Sequence, residues 1–433
     1  MRVERMPENT ASLKPFNRML PAILLLLPLL ATADDEKPGV ATVISVRDHG
    51  ASGDGRGDDS SAFQAALDLA VASPHARVRI PAGTYRLEKR VMVRFQGGVD
   101  QGLAITGDGQ GVSVIQCANE DGALCLHSEL CQTQVSVRDL TLVATIPGAG
   151  TALEVSSPPR GVRNYRTLTV ENVDIRGAGL PTRSYFKRGI DASGQWRPLF
   201  RNVIFCGVLD PSLNDQAERY AELRFKPECG FCADWCYAPS FQHCYAWSCH
   251  TGYRVVSRDR RPEGPEDAAF HRCTAVGTKV GIDIDTPIIE PQLVVDSCHL
   301  NCRDVGLRLA NRKFFHIVNC LLYSAAEERF PYTDIELTNC WAGHVQGNTF
   351  HSPHPKNMQA NPPSKRVCIV VDERTRHINI TGNTFNGKGT SLQTAPGANG
   401  IRMHDNQVIN RHVKVPNASE REKTPRPNPQ ESQ

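Results

Sequence analysis

The chain has no block of basic residues and no basic stripe interleaved with aromatics, which argues against nucleic acid as a partner. Charge of either sign is nearly absent on balance: the formal net charge over 433 residues is +3. Electrostatics therefore do not select a substrate. No apolar run reaches the roughly 20 residues that a membrane-spanning helix needs. The longest, Leu20 to Leu30, falls short. Helical spacing of apolar residues is missing from most of the chain. A second CxxC or a HxxxH is missing beside the single Cys229-Gly230-Phe231-Cys232, so zinc has only half of a usual ligand set.

What the chain does contain is a repeat. Phe241, Phe270, Val295, Ile317 and Leu337 each stand three residues before a cysteine: Cys244, Cys273, Cys298, Cys320 and Cys340. The intervals between those cysteines are 29, 25, 22 and 20 residues. In the first three units a glycine (Gly252, Gly281, Gly306) follows and opens a short alternating strand. A drifting period in the twenties, made of short strands, predicts a parallel β-solenoid whose stacked coils share one core. Equivalent residues then stack about 4.8 Å apart. The five cysteines are expected to form a buried ladder of small apolar side chains. Asn172, Asn202, Asn319 and Asn339, each just before an inward residue, are expected to form a turn ladder bonded through their amides.

The N-terminus has the pattern of an export signal. Arg2, Arg5, Lys14 and Arg18 precede the apolar run, and Ala31-Thr32-Ala33 is a small-x-small cleavage site. Cleavage after Ala33 leaves a secreted, periplasmic or cell-surface protein with no stable membrane span. All 15 cysteines lie beyond that point, and local disulfides among Cys229, Cys232, Cys236 and Cys249 are expected in an oxidising compartment. Residues 34–45 read as a leader, 46–412 as the solenoid and 413–433 as a disordered tail. A cysteine-rich insertion, 208–238, interrupts the coils, with a helix expected at 214–223. Near the start, glycines and aspartates from Asp48 to Asp59 predict a tight loop. Asp59 or Ser60 would then cap a short helix running to Ala72. Asp54, Asp58 and Asp59 are explained by turn formation and capping without a metal.

The run DHGASGDGRGDDSSAFQAALDLA, then VRIPAGTYRL, then LAITGDGQG and VIQC, resembles the N-terminal signature of the pectate lyase superfamily, in its rhamnogalacturonase- and epimerase-like branch. The resemblance spans roughly residues 43–117, and the downstream repeats fit the same family's coils. It implies an all-β fold: a single-stranded right-handed parallel β-helix whose open end is covered by the N-terminal helix. It implies a polysaccharide partner and catalytic residues on one outward sheet face. The family's polygalacturonase motifs (Asn-Thr-Asp, Gly-His-Gly, Arg-Ile-Lys) and the signature of the pectate lyases proper are absent here. Pectin itself is therefore not indicated.

On that expectation the outward positions after the repeat glycines are the catalytic candidates. Asp191, Arg254, Asp283 and Arg308 occupy the first such position, and Asp285 the next outward one. Lys279 stands just before Gly281 and completes the catalytic candidates; His250, just before the Gly252 coil, is a substrate-binding candidate, as are His271 and Asp296 on another ladder. Hydrolysis would use two carboxylates flanking the glycosidic bond, Asp283 with Asp285 or Asp191. Lyase chemistry would use a base at the carbon α to a uronate carboxyl, that carboxyl being neutralised by Arg254, Arg308, Lys279 or a calcium ion. No metal ligands are assigned. A non-catalytic glycan-binding or adhesion solenoid, and an epimerase acting on polymeric uronate, are the alternatives.

Overall fold

The computed structural model describes residues 42–73, 76–95, 102–129, 133–158, 165–210, 222–258, 265–324, 331–351, 365–387 and 389–409. The chain winds into a parallel β-helix. Each coil contributes strands to three sheets, here called A, B and C. One coil runs through Cys229–Asp234 in sheet A, Ser240–Gln242 in B and Tyr245–Trp247 in C. The next coil then pairs with it in parallel, Thr251–Val256 on the first strand and Ala268–His271 on the second. Two assigned strands, Thr274–Asp296 and His299–Val318, are long enough to cross all three sheets, and they pair with each other at every face. Among the described residues no helix is long and apolar enough to cross a membrane.

Left-handed residues make the corners. Where sheet B turns into C, Asp139, Asn172, Asn202, His243, Arg272, Ser297 and Asn319 all have φ between 51° and 57°. Where A turns into B, Arg197, Ala238, Asp267, Gln292, Phe314, Ala342 and His377 have φ between 48° and 56°. A left-handed residue at a fixed place in these coils, joined at the A-to-B corner by a second at Trp235, Asn311 and Asn339, lets an extended chain bend without opening its ladder of hydrogen bonds. Inside, like side chains stack. Phe200, Phe241 and Phe270 lie face to face at 4.8 Å, and Phe231 on Tyr253 at 4.9 Å. The spacing is that of the coils themselves.

The helix Ser60–Ala72 closes the first coil by burying Phe63, Ala66, Leu67 and Ala70. Its N-cap residue is Asp59, but that side chain serves the loop instead. Asp59 accepts from the Ser52 amide at 2.7 Å and the Arg86 amide at 3.2 Å. Asp58 accepts from the Ser60 amide at 3.0 Å, and Asp54 from the Arg56 amide at 2.8 Å. These carboxylates thus fix a turn, as their sequence implied.

Several expectations need correction. The strand Val43–Ser45 already pairs with Arg77–Arg79, so the solenoid begins inside the segment read as leader. Cys229–Asp234 is a regular sheet A strand, so the insertion is confined to 207–228; the helix expected there lies, except for its last two residues, outside the described residues. The signal peptide and the C-terminal tail also lie outside them. No disulfide forms among the described cysteines. Cys229, Cys236 and Cys249 point their thiols at backbone carbonyls of Phe231, Ala192 and Thr251 at 3.1–3.4 Å. Cys244, Cys273, Cys298 and Cys320 do form a buried ladder, each 2% exposed or less. Cys340 does not continue it. It lies at the A-to-B corner, and its amide donates to Thr375 Oγ1 at 3.1 Å. The interval of 20 residues is too short for one coil here. The true successor of Cys320 is Asn348, 28 residues on, whose Oδ1 accepts from the Cys320 amide at 2.9 Å. Asn348, Asn383 and Asn406 then continue that corner as a ladder of amides, the first two buried. Asn202 bonds Asn172 at 3.1 Å as expected, whereas Asn339 belongs to the other corner and bonds Asn311 at 2.7 Å.

Candidate functional site

Glycines set the register of sheet A. Gly189, Gly230, Gly252, Gly281 and Gly306 stack on one another, and a Cβ on any of them would come under 3.0 Å from a carbonyl oxygen of the coil above. Their φ values are ordinary; what they permit is close approach of backbones. Two residues after each glycine the chain points outward. The pairing gives one outward ladder in the order Glu154, Asp191, Cys232, Arg254, Asp283, Arg308, Glu336.

In the upper part of this ladder, carboxylate and guanidinium alternate. The Asp283 carboxylate lies between Arg254, at 3.6 Å from its Nε, and Arg308, at 3.9 Å from its Nη1. Neither contact is a hydrogen bond, and no hydrogen bond to this carboxylate is formed among the described residues. Arg308 instead donates to Glu336 at 2.9 Å. Burial pushes the Asp283 carboxyl above its ordinary value; Arg308 and then Arg254 oppose this, and Asp285 adds to it. Around these groups lies a groove of about 660 Å³, lined by Arg254, Asp283, Asp285, Arg308, Glu336 and Arg374 together with Pro287, Asn311 and Asn339. Among the described residues no group of three or more His, Cys, Asp or Glu is arranged to hold a metal ion.

The lower part is different. Asp191 is 6% exposed and saturated, with Arg258 at 2.5 Å and Arg188 at 2.9 Å. Arg258 also donates to the Cys232 thiol at 3.0 Å and meets Asp234 at 3.6 Å. A hydrogen bond from Cys229, with help from Arg258, holds Cys232 below the ordinary thiol value, while burial pushes Cys229 up.

The structure thus brings together Arg254, Asp283, Asp285 and Arg308, and sets the other candidates apart. Cys232 intervenes between Asp191 and Arg254, so Asp191 is three rungs from Asp283, about 14 Å at the spacing of stacked strands. That exceeds the reach of any glycosidase pair. Lys279 meets Asp304 at 3.7 Å. His250 is exposed at the far edge of sheet A and bonds Thr251 Oγ1 at 3.1 Å; desolvation, Lys279 and Arg254 hold its pKa down. His271 and Asp296 face each other at 3.7 Å on sheet B, as expected of another ladder. Glu336 and Arg374 were missed. Glu336 was hidden because Asp334 replaces the glycine that marks the register, and Leu337 was read as a sheet B residue. Cys232 was hidden because its glycine, Gly230, lay in the supposed insertion. The signal in both cases was the position two residues after the stacked glycine or the residue that takes its place.

Stacked coils, a capping helix and an outward groove of alternating charge define a right-handed parallel β-helix protein. Residues 43–136 match the family described as rhamnogalacturonase A/epimerase, pectate lyase-like. Two similar solved structures are A-modules of mannuronan C-5 epimerases from Azotobacter vinelandii. AlgE4 has a TM-score of 0.62 at 19% identity over 84% of this chain and 95% of that one. AlgE6 has a TM-score of 0.59 at 17% identity over 85% and 99%. At these identities the likeness is one of fold. A search of curated proteins gives no match.

Proposed function

We propose that the protein is an exported enzyme that acts on an acidic polysaccharide, with Asp283 as the base. One observation carries this. A largely buried carboxylate that accepts no hydrogen bond from the described residues stands between two guanidinium groups in an open groove. The arginines can neutralise the carboxylate of a uronate ring, which makes the proton on the adjacent carbon removable. Asp283 takes that proton. The electrons form the C4–C5 double bond, the C4–O glycosidic bond breaks, and the leaving oxygen acquires a proton from water or from the newly protonated carboxyl. Raising the Asp283 pKa strengthens it as a base near neutral pH. Epimerisation shares the first step and differs in returning the proton to the opposite face.

Hydrolysis is the second reading, favoured by the spacing of Asp283 and Asp285. Two residues apart on one strand, they share a face with Cα atoms about 7 Å apart; side chains running parallel from there would hold their carboxyls at about the separation of acid–base pairs that invert. One assay separates the outcomes. The protein is incubated with acidic and neutral polysaccharides while reducing ends and unsaturated-uronide absorbance are followed together. Both signals rising supports elimination, and reducing ends alone supports hydrolysis. Exchange of solvent deuterium into the polymer without either signal supports epimerisation. No response of any kind, with and without calcium, leaves a glycan-binding solenoid.

A further inference from the structure

Four of the twelve exposed large apolar side chains among the described residues gather at one place: Ile288, Ile289, Phe314 and Trp341. All four lie at the corner where sheet A turns into sheet B, on three successive coils. Pro287, Asn311 and Asn339 of that same corner line the groove. Trp341 follows Asn339 by two residues, so their Cα atoms are at most about 7 Å apart. Phe314 is 50% exposed and Trp341 45%, with ring centroids 6.0 Å apart and planes tilted by 37°. The corner requires a left-handed residue in every coil, and other coils fill that place with Arg, Ala, Asp, Gln or His. Phe314 is a bulky aromatic in a conformation that disfavours bulk. It nevertheless turns its ring outward, where it covers no core.

The neighbouring coil sharpens the contrast. Between Asp285 and Glu290 the chain carries four residues where its partner coil carries only Asn311. The extra residues raise Ile288 and Ile289 beside the groove, and the raised segment is pinned by Asn311 Nδ2 donating to the Thr286 carbonyl at 2.5 Å. Lower down the same corner, Trp196 and Tyr237 stack on each other at 4.1 Å and Tyr237 is tied to Asp267 at 3.1 Å. Those rings satisfy one another. Phe314 and Trp341 stay about half exposed, with Lys313 Nζ over the Phe314 ring at 6.0 Å from its centroid.

We infer that this corner is a sugar subsite, in which Trp341 and Phe314 stack on a pyranose ring of the polysaccharide as the strand leaves the groove. Lys313 there meets a ring carboxylate. The occupant follows from continuity with the groove and from the cation beside the rings; a pyranose offers one apolar face to an aromatic and a carboxylate to an ammonium. The inference rests on the acidic-glycan function proposed above, but it concerns binding and is measured without turnover. The test is electrophoresis of full-length protein through gels holding polygalacturonate, alginate or neutral dextran, using Asp283→Asn so that nothing is consumed. Retardation in an acidic gel is expected. It weakens about tenfold in added Trp341→Ala and similarly in Phe314→Ala, while Trp341→Phe keeps most of it. Binding should also shift the tryptophan fluorescence, and Trp341→Phe should remove that shift. Equal retardation of the Trp341→Ala and parent proteins, or none in any gel, overturns the subsite. So does a dimer in size-exclusion chromatography that Trp341→Ala converts to monomer, since a second copy would then cover the face. If turnover proves absent in wild type while Trp341-dependent retardation persists, the enzymatic proposal fails and the subsite stands.

Discussion

The two ends of one ladder make opposite use of the same chemistry. Asp191 and Asp283 both follow a stacked glycine by two residues, both point outward from sheet A, and each is flanked by two arginines. At the lower end the arginines reach the carboxylate at 2.5 and 2.9 Å and finish its hydrogen bonding. At the upper end they stop at 3.6 and 3.9 Å, and Arg308 turns to Glu336 instead. The first carboxylate is spent on holding coils together. The second accepts no hydrogen bond from the described residues. Residue type and ladder position are shared, so the difference lies in what surrounds each pair. Arg258, just after the sheet A strand two coils on, closes over Asp191, while no such arm covers Asp283 among the described residues.

The largest effect is expected from Asp283→Asn, which removes the base and keeps the shape. Turnover should fall by about two to four orders of magnitude, measured by unsaturated-uronide absorbance or reducing ends, with circular dichroism unchanged. The wild-type rate should decline toward acid through a value above the usual carboxylate range, because burial raises this group and its base form must be ionised. A rate that stays flat down to pH 4 would remove Asp283 from the role. Arg308→Gln should follow, with a ten- to hundredfold rise in KM for acidic polymer and little change for any neutral glycan that is turned over.

Stability should reverse the order of the two aspartates. A carboxyl whose folded pKa is raised contributes most when protonated, and that contribution is lost as pH rises through the folded value. At pH 7 an ionised Asp283 therefore works against the fold, and Asp283→Asn should leave the melting temperature level or slightly higher. Asp191→Asn should lower it, by about 1–2 kcal/mol of stability after discounting for arginines that are partly in solvent. It should not reduce turnover in the remaining folded protein. If Asp191→Asn abolishes turnover with the fold intact, the lower cluster is not merely structural and the contrast is wrong.

The coils were legible wherever a repeated residue has a steric reason to repeat. Stacked glycines, phenylalanines and the first four ladder cysteines are each fixed by contact with the same residue one coil away. That is why Asp283, Arg254 and Arg308 could be aligned from spacing alone. Legibility failed where a coil solves the same corner with different chemistry. Asn348 takes over from cysteine at one corner, and a buried amide that bonds up and down the stack does not look like a thiol in sequence. Asp334 takes over from glycine, its buried carboxylate held by Arg366 at 2.6 Å, and so the register that would have exposed Glu336 was lost. The CxxC hid a regular strand because its spacing suggested a local device rather than a rung. Groove depth was not legible at all, since it depends on how far the 286–289 segment and the Arg374 turn rise from their corners.

The smallest effect should come from sheet B, and it decides which face is the site. His271 and Asp296 also form an acid–base pair in register, at 3.7 Å, with side chains 42% and 35% exposed. A pair this open is screened by water and is worth about 0.5 kcal/mol or less. It is not among the residues lining the sheet A groove, and its ladder continues into Gln242 below and Val318 above, so it offers a single charge pair where sheet A offers alternation over four rungs. His271→Ala should therefore change turnover by less than twofold and the melting temperature by about a degree. The measurement is worth making because it is asymmetric. Loss of turnover in His271→Ala, with Asp283→Asn still active, would move the chemistry to sheet B and leave the sheet A ladder as a row of structural ion pairs at both ends.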